Sequence, residues 1–154
     1  MMCKVLIFSC ISALMLMTAA YGAHLPTEKV HLLKALITDL KFLEKSKDTI
    51  RLKLYTPDEK QQCSWQTLQC YLTEMGTLEH EIDEDNFNNL QNIKKNLQSL
   101  MVSKLFTLFK KKKKKKGKKC FRVRTGCKIC EANEKKEFPE FHQELNKFLI
   151  SMLK

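Results

Sequence analysis

The chain has 154 residues, 44% of them hydrophobic, with 28 Lys and Arg against 17 Asp and Glu and a formal net charge of +11. That length holds one domain rather than two. Four glycines and three prolines exclude collagen-like and turn-dense all-β architectures, and the apolar fraction excludes wholesale disorder, which leaves a helix-rich single domain.

Residues 1–22 carry one charge, Lys4, then an apolar run from Val5 that ends in small residues at Ala20 and Gly22. This pattern reads as a secretory signal peptide and leaves residues 23–154 as the mature domain. The apolar run falls short of the about 20 residues that a membrane span needs. A secreted product makes intracellular uses of the basic charge, nucleic-acid binding among them, implausible. The charge is also local. The mature chain carries +10, of which residues 110–128 hold +12 and everything else −2.

In chain order, Val30, Leu33, Ile37 and Leu40, widened by Leu36 and Leu43, recur at helical spacing and predict an amphipathic helix over Thr27–Lys47. The pattern then changes to alternation at Ile50, Leu52 and Leu54, which predicts a short extended segment between Asp48 and Tyr55. Thr56-Pro57-Asp58-Glu59 has the hydroxyl, the proline and the glutamate of a capped helix start. A second helix is expected from there to Met75 or Gly76, with Trp65, Leu68, Leu72 and Met75 on one face. The third begins in the acidic cluster Glu79, Glu81, Asp83, Glu84 and Asp85 and runs through Phe87, Leu90, Ile93, Leu97, Leu100, Met101, Leu105 and Leu108. Acids precede it and lysines follow it, as the helix dipole favours. A long connection from Lys110 to about Lys136 leads to a fourth helix from Pro139 through Phe141, Leu145, Phe148, Leu149 and Met152. Two long links and one short one predict an all-α four-helix bundle of up-up-down-down topology with two long crossover connections.

Five cysteines remain after the leader: Cys63, Cys70, Cys120, Cys127 and Cys130. In a small secreted domain they are expected in disulfides. Cys63 and Cys70, seven residues apart on one predicted helix, stand about 10 Å apart along its axis and cannot pair with each other. Two crossed solutions with Cys127 and Cys130 remain open, and each bond closes a loop of roughly 60 residues, stabilising by about 4 kcal/mol. A redox C-x-x-C lacks its strand-to-helix context, and C-x6-C is wide for a zinc knuckle. Cys120 is left over.

Lys110, Lys111, Lys112, Lys113, Lys114, Lys115, Lys116, Lys118 and Lys119 form a run whose self-repulsion predicts a solvated loop over 110–119. Such a tract is either a tolerated expansion or a binding element for sulfated glycosaminoglycans such as heparan sulfate, favoured by counterion release. Its basic bonds are also open to secretory proteases. No nucleotide loop, nucleophile elbow or zinc-protease helix occurs, and His24, His31, His80 and His142 have no ligand spacing, so neither an enzyme nor a metal or cofactor site is expected.

Two blocks resemble the short-chain four-helix cytokines of the interleukin-2, interleukin-15 and interleukin-21 group. They are Leu54-Tyr55-Thr56 with Cys63-Ser64-Trp65-Gln66-Thr67-Leu68-Gln69-Cys70-Tyr71-Leu72, and Gly126-Cys127-Lys128-Ile129-Cys130-Glu131 with Glu134-Lys135-Lys136 and Glu140-Phe141. The resemblance is strongest to interleukin-15 and implies the pairings Cys63 to Cys127 and Cys70 to Cys130. It implies a secreted, monomeric lymphocyte growth factor that bridges a β-type or private receptor and the common γ chain, with a private α chain in some members. It places Asp39 on the first helix and Asp85 and Asn89 on the third in the β-type contact, and Glu74 in the α contact. The fourth-helix glutamine that the family directs at the γ chain is replaced by Ile150, a departure at that site.

Overall fold

The computed structural model describes residues 27–58, 63–113 and 126–154. The leader, Glu59 of the capping pattern, Lys114, Lys115, Lys116, Lys118, Lys119 and Cys120 lie outside them. Helix α1 covers residues 27–43 and is prolonged by a 3-10 turn at Glu44–Ser46. Helices α2 (Ser64–Leu78), α3 (Glu84–Lys113) and α4 (Phe138–Ser151) follow. Two four-residue strands, β1 (Lys53–Thr56) and β2 (Glu134–Glu137), pair antiparallel with Lys53 opposite Glu137 and Thr56 opposite Glu134.

Side-chain ties between elements give the helix directions. Asn86 Nδ2 at the start of α3 donates to Ser46 Oγ just beyond the end of α1 at 2.7 Å, so α1 and α3 run antiparallel. His142, in the second turn of α4, meets the Leu40 carbonyl near the end of α1 at 2.7 Å, so α4 also opposes α1. Glu79, just after α2, holds Gln91 and Lys94 in the first turns of α3, so α2 and α3 are antiparallel. The result is the up-up-down-down four-helix bundle. β1 lies in the α1–α2 crossover and β2 in the α3–α4 crossover, and their pairing ties the two long connections together.

The interior is the set of apolar stripes. Leu33, Leu36, Leu40 and Leu43 of α1, Leu68, Tyr71, Met75 and Leu78 of α2, Leu90, Ile93, Leu97 and Leu100 of α3, and Phe138, Phe141, Leu145, Phe148 and Leu149 of α4 are all buried. Each such side chain stabilises the fold by about 1.5–3 kcal/mol relative to exposure. The Tyr71 ring stands edge-on to Phe141 at 5.3 Å, joining α2 to α4.

Four expectations are corrected. The second helix begins at Ser64 rather than at Pro57, because Thr56 is held in β1 by pairing with β2, and its hydroxyl donates to Leu54 O rather than capping a helix. The lysine run does not begin as a loop: α3 continues through Lys113. Lysine is a good helix former, cations suit a helix C-terminus, and no breaker precedes Gly117. Val30 and Phe87, assigned to apolar stripes, are exposed. His142, whose place in the fourth amphipathic helix reads as a helix-surface or boundary position, is buried, and its bond to a carbonyl requires the proton on Nε2.

Candidate functional site

The crossover flank is covalently stapled. Cys63 is bonded to Cys127 and Cys70 to Cys130, with Cα separations of 5.7 and 5.1 Å. The bonds run from Cys63, just before α2, and from Cys70, in its first half, to the segment that leads into β2. Beside them, Glu74 is only 7% exposed, and its Oε2 accepts the Tyr55 backbone N–H at 2.9 Å. This is the N–H that β1 does not give to β2, so the glutamate completes the hydrogen bonding of an otherwise open strand edge. Lys135 lies over the Tyr55 ring at 4.6 Å, opposite it in the strand register. Burial pushes the Glu74 carboxyl above its ordinary range, against the lowering effects of the Tyr55 N–H and of Lys135. Glu74, which the resemblance implies in the α contact, thus has one carboxylate oxygen engaged by β1.

The α1/α3 flank is arranged differently. Asp39 is half-buried on α1, and desolvation raises its pKa, yet no hydrogen bond or ion pair among the described residues compensates it. One turn on, Phe42 is 46% exposed, with Lys45 Nζ 5.5 Å from its ring centre. Residues three apart share a helix face, so the acid and the aromatic ring are presented together. Asp85 is exposed and Asn89 half-buried, one turn apart in the first turns of α3. Because Asn86 bonds Ser46, these α3 residues stand at the same end of the bundle as Asp39 and Phe42. The tertiary structure thus brings Asp39, Asp85 and Asn89 to one end of one antiparallel helix pair. Phe42 was not singled out by sequence, although its place off the three-four stripe and three residues after Asp39 was a signal for it.

Ile150 lies elsewhere. It is 41% exposed on the last turn of α4, at the opposite end of the bundle, where α1 begins with its own exposed Val30. Between the start of α1 and the far half of α3 an open groove of about 460 Å³ is lined by Glu28, Leu32, Gln98 and Val102.

The sequence pattern of the family described as Interleukin 15 matches residues 5–153. The chain belongs to the interleukin 15 family. It is a cytokine, of a family that is not enzymatic, and its partners are cytokine receptors in general. Pairwise comparison with curated proteins returned no match. Interleukin 15 relatives are four-helix cytokines and generally secreted, and among the described residues no helix is long and apolar enough to cross a membrane.

Proposed function

We propose that this cytokine is secreted after loss of residues 1–22 and acts as a monomer that bridges a β-type or private receptor chain and the common γ chain, stimulating proliferation of T, NK and B lymphocytes. The observation that carries the reading is Asp39: a carboxylate partly withdrawn from water, without a partner among the described residues, beside an exposed aromatic ring. Such a group gains when a cationic partner side chain covers it, and exposed aromatic side chains are enriched at interfaces. Asp85 and Asn89 extend the face across α3. Ile150, at the end of the bundle where α1 begins with Val30, offers the γ chain an apolar contact in place of the family's glutamine. Glu74, engaged by β1, is left out of this contact set.

The lysine run at the end of α3 is assigned to retention on heparan sulfate rather than to nucleic acid. α3 carries Glu84 and Asp85 in its first turn and Lys110, Lys111, Lys112 and Lys113 in its last, and its 30 residues separate these ends by about 45 Å. A polyanion held at one end leaves the Asp39 end clear.

Receptor phosphorylation in cells reconstituted with the β and γ chains tests the main reading. Correctly disulfide-bonded protein should trigger it, and Asp39→Lys should abolish it while leaving the melting temperature unchanged. Absence of a response to the parent protein would refute the reading. For the lysine run, replacing Lys110 to Lys119 by Gln should abolish heparin retention with signalling intact.

A further inference from the structure

We propose that the Cys63–Cys127 disulfide is a site of thiol–disulfide exchange with dithiol proteins of the thioredoxin type, and that Cys70–Cys130 is not. Attack on a disulfide needs a clear path to one sulfur and a thiolate that leaves readily from the other. The two bonds differ in both respects. Cys70 lies within α2 and is 2% exposed. Its partner Cys130 opens a 3-10 turn, and Asn133 donates to the Cys130 carbonyl through its backbone N–H at 3.1 Å and through Nδ2 at 2.9 Å. One end of this bond is shut off from solvent and the other is held in a hydrogen-bonded turn.

Cys63 and Cys127 are both half-buried. Cys63 stands just before α2 and makes no side-chain capping bond, and Cys127 lies in backbone that is neither helix nor strand. A small cleft of about 30 Å³ opens beside Cys63, lined by Pro57, Asp58, Gln66, Gly126 and Lys128. Gly126, next to Cys127, has a φ of +118°, and beyond its chain neighbours no atom lies within 4 Å of where a Cβ would stand. A residue without a side chain, in a conformation that favours glycine, leaves the approach to this bond open. Lys128 follows Cys127 directly and is exposed. A cation near a thiol lowers its pKa, and a thiol of lower pKa leaves faster, so Cys63 is the sulfur attacked and Cys127 the one expelled. The reductant's thiolate bonds to Cys63 Sγ, and the S–S electron pair leaves on Cys127. The reductant's second thiol then displaces Cys63 and closes the reductant's own disulfide, so that two electrons and two protons pass from the dithiol to the cysteine pair. Cys70–Cys130 still joins α2 to the segment before β2, and the Lys128–Asp58 pair at 3.8 Å keeps that segment against the first crossover. The product is a folded chain with one disulfide, less stable than the parent, whose open pair stays close enough to re-form.

The test uses the native, oxidised secreted chain with its free thiols blocked beforehand. Thioredoxin, its reductase and NADPH are added, and new thiols are alkylated at timed intervals and located by mass mapping. Cys63 and Cys127 should be labelled together, at least about tenfold faster than Cys70 and Cys130, at a rate proportional to thioredoxin concentration and with unchanged helical circular dichroism. Equal rates, earlier labelling of Cys70 and Cys130, loss of helix at the first reduction, or a rate independent of thioredoxin concentration would each overturn the proposal. Thioredoxin whose second cysteine is replaced by Ser should be trapped on Cys63, and trapping on Cys127 would overturn the assignment of the leaving sulfur. Lys128→Gln should slow reduction of the Cys63–Cys127 bond at least about threefold and leave that of Cys70–Cys130 unchanged; an unaltered rate at the first bond would overturn the role given to Lys128. The double variant Cys63→Ser, Cys127→Ser should fold with a lowered melting temperature and show no fast phase of labelling. A double variant that does not fold would overturn the claim that the remaining disulfide holds the structure.

Discussion

Glu74 and Asp39 are two carboxylates on opposite flanks of one bundle, and both are pushed above their ordinary pKa by burial. Glu74 is matched by the Tyr55 N–H and lies beside two disulfides, so its flank is closed on itself. Asp39 has neither donor nor counter-ion among the described residues, and the ring next to it is left in water. The same shift has one cause and two meanings. Where a partner group is supplied internally, a buried acid organises the fold; where none is supplied among the described residues, its desolvation is left uncompensated, which is what supports the proposed receptor contact at Asp39.

The largest effect expected from breaking this contrast is on the stapled flank. Replacing Cys63, Cys70, Cys127 and Cys130 by Ser should cost about 4 kcal/mol for one bond and about 3 kcal/mol for the other, whose loop the first already shortens, measured by denaturant unfolding, and should leave little folded protein at 37 °C. Next comes the open flank, where Asp39→Lys should weaken receptor binding at least about 30-fold in a surface-binding assay, with Phe42→Ala following it in the same direction. Neither change should lower stability, and Asp39→Asn should leave it equal or slightly higher. Glu74 should behave in the opposite way. Glu74→Ala strands the Tyr55 N–H and should cost about 1–3 kcal/mol, whereas Glu74→Gln keeps an acceptor and should be tolerated.

The pH dependence of unfolding sharpens the comparison further. A carboxyl whose folded pKa is raised binds its proton earlier in the native state, so Glu74 and Asp39 weigh against the fold at neutral pH. That penalty is relieved as pH falls through their folded pKa values towards the ordinary 4.5 and 3.8. Glu79 has the reverse sign. Hydrogen bonds from Lys94 and Gln91 hold it below 4.5, so its support is complete above that value and is lost as pH falls through its lowered pKa. Glu74→Gln should therefore flatten the stability profile above pH 4.5, and Glu79→Gln the profile below it. The smallest effect belongs to Lys128→Ala, which removes an exposed 3.8 Å pair with Asp58 and should change stability by less than about 0.5 kcal/mol.

The helices were legible because leucine and phenylalanine recur at three-four spacing through α1, α3 and α4, and burial follows that period at Leu33, Leu36, Leu40 and Leu43. β2 was not legible. Glu134-Lys135-Lys136-Glu137 has no apolar alternation, and it is a strand only because β1 lies beside it. The start of α2 was misread for a related reason: Thr56-Pro57 has the residues of a helix cap, but strand pairing holds Thr56 extended. The tie of Glu74 to β1 was not legible either, since nothing local shows that a strand from another part of the chain will present an N–H to it.

Period and cysteine spacing by themselves determined the helical class and the need for two crossed disulfides, because each depends on near neighbours in the chain or on counts. The resemblance already implied which of the two crossed pairings forms, whereas the tertiary structure alone decided that the crossovers pair as strands and that two acids on opposite flanks of the bundle differ in role. These depend on which backbone and charged groups meet across the bundle, and contacts between distant segments leave no local mark in either one.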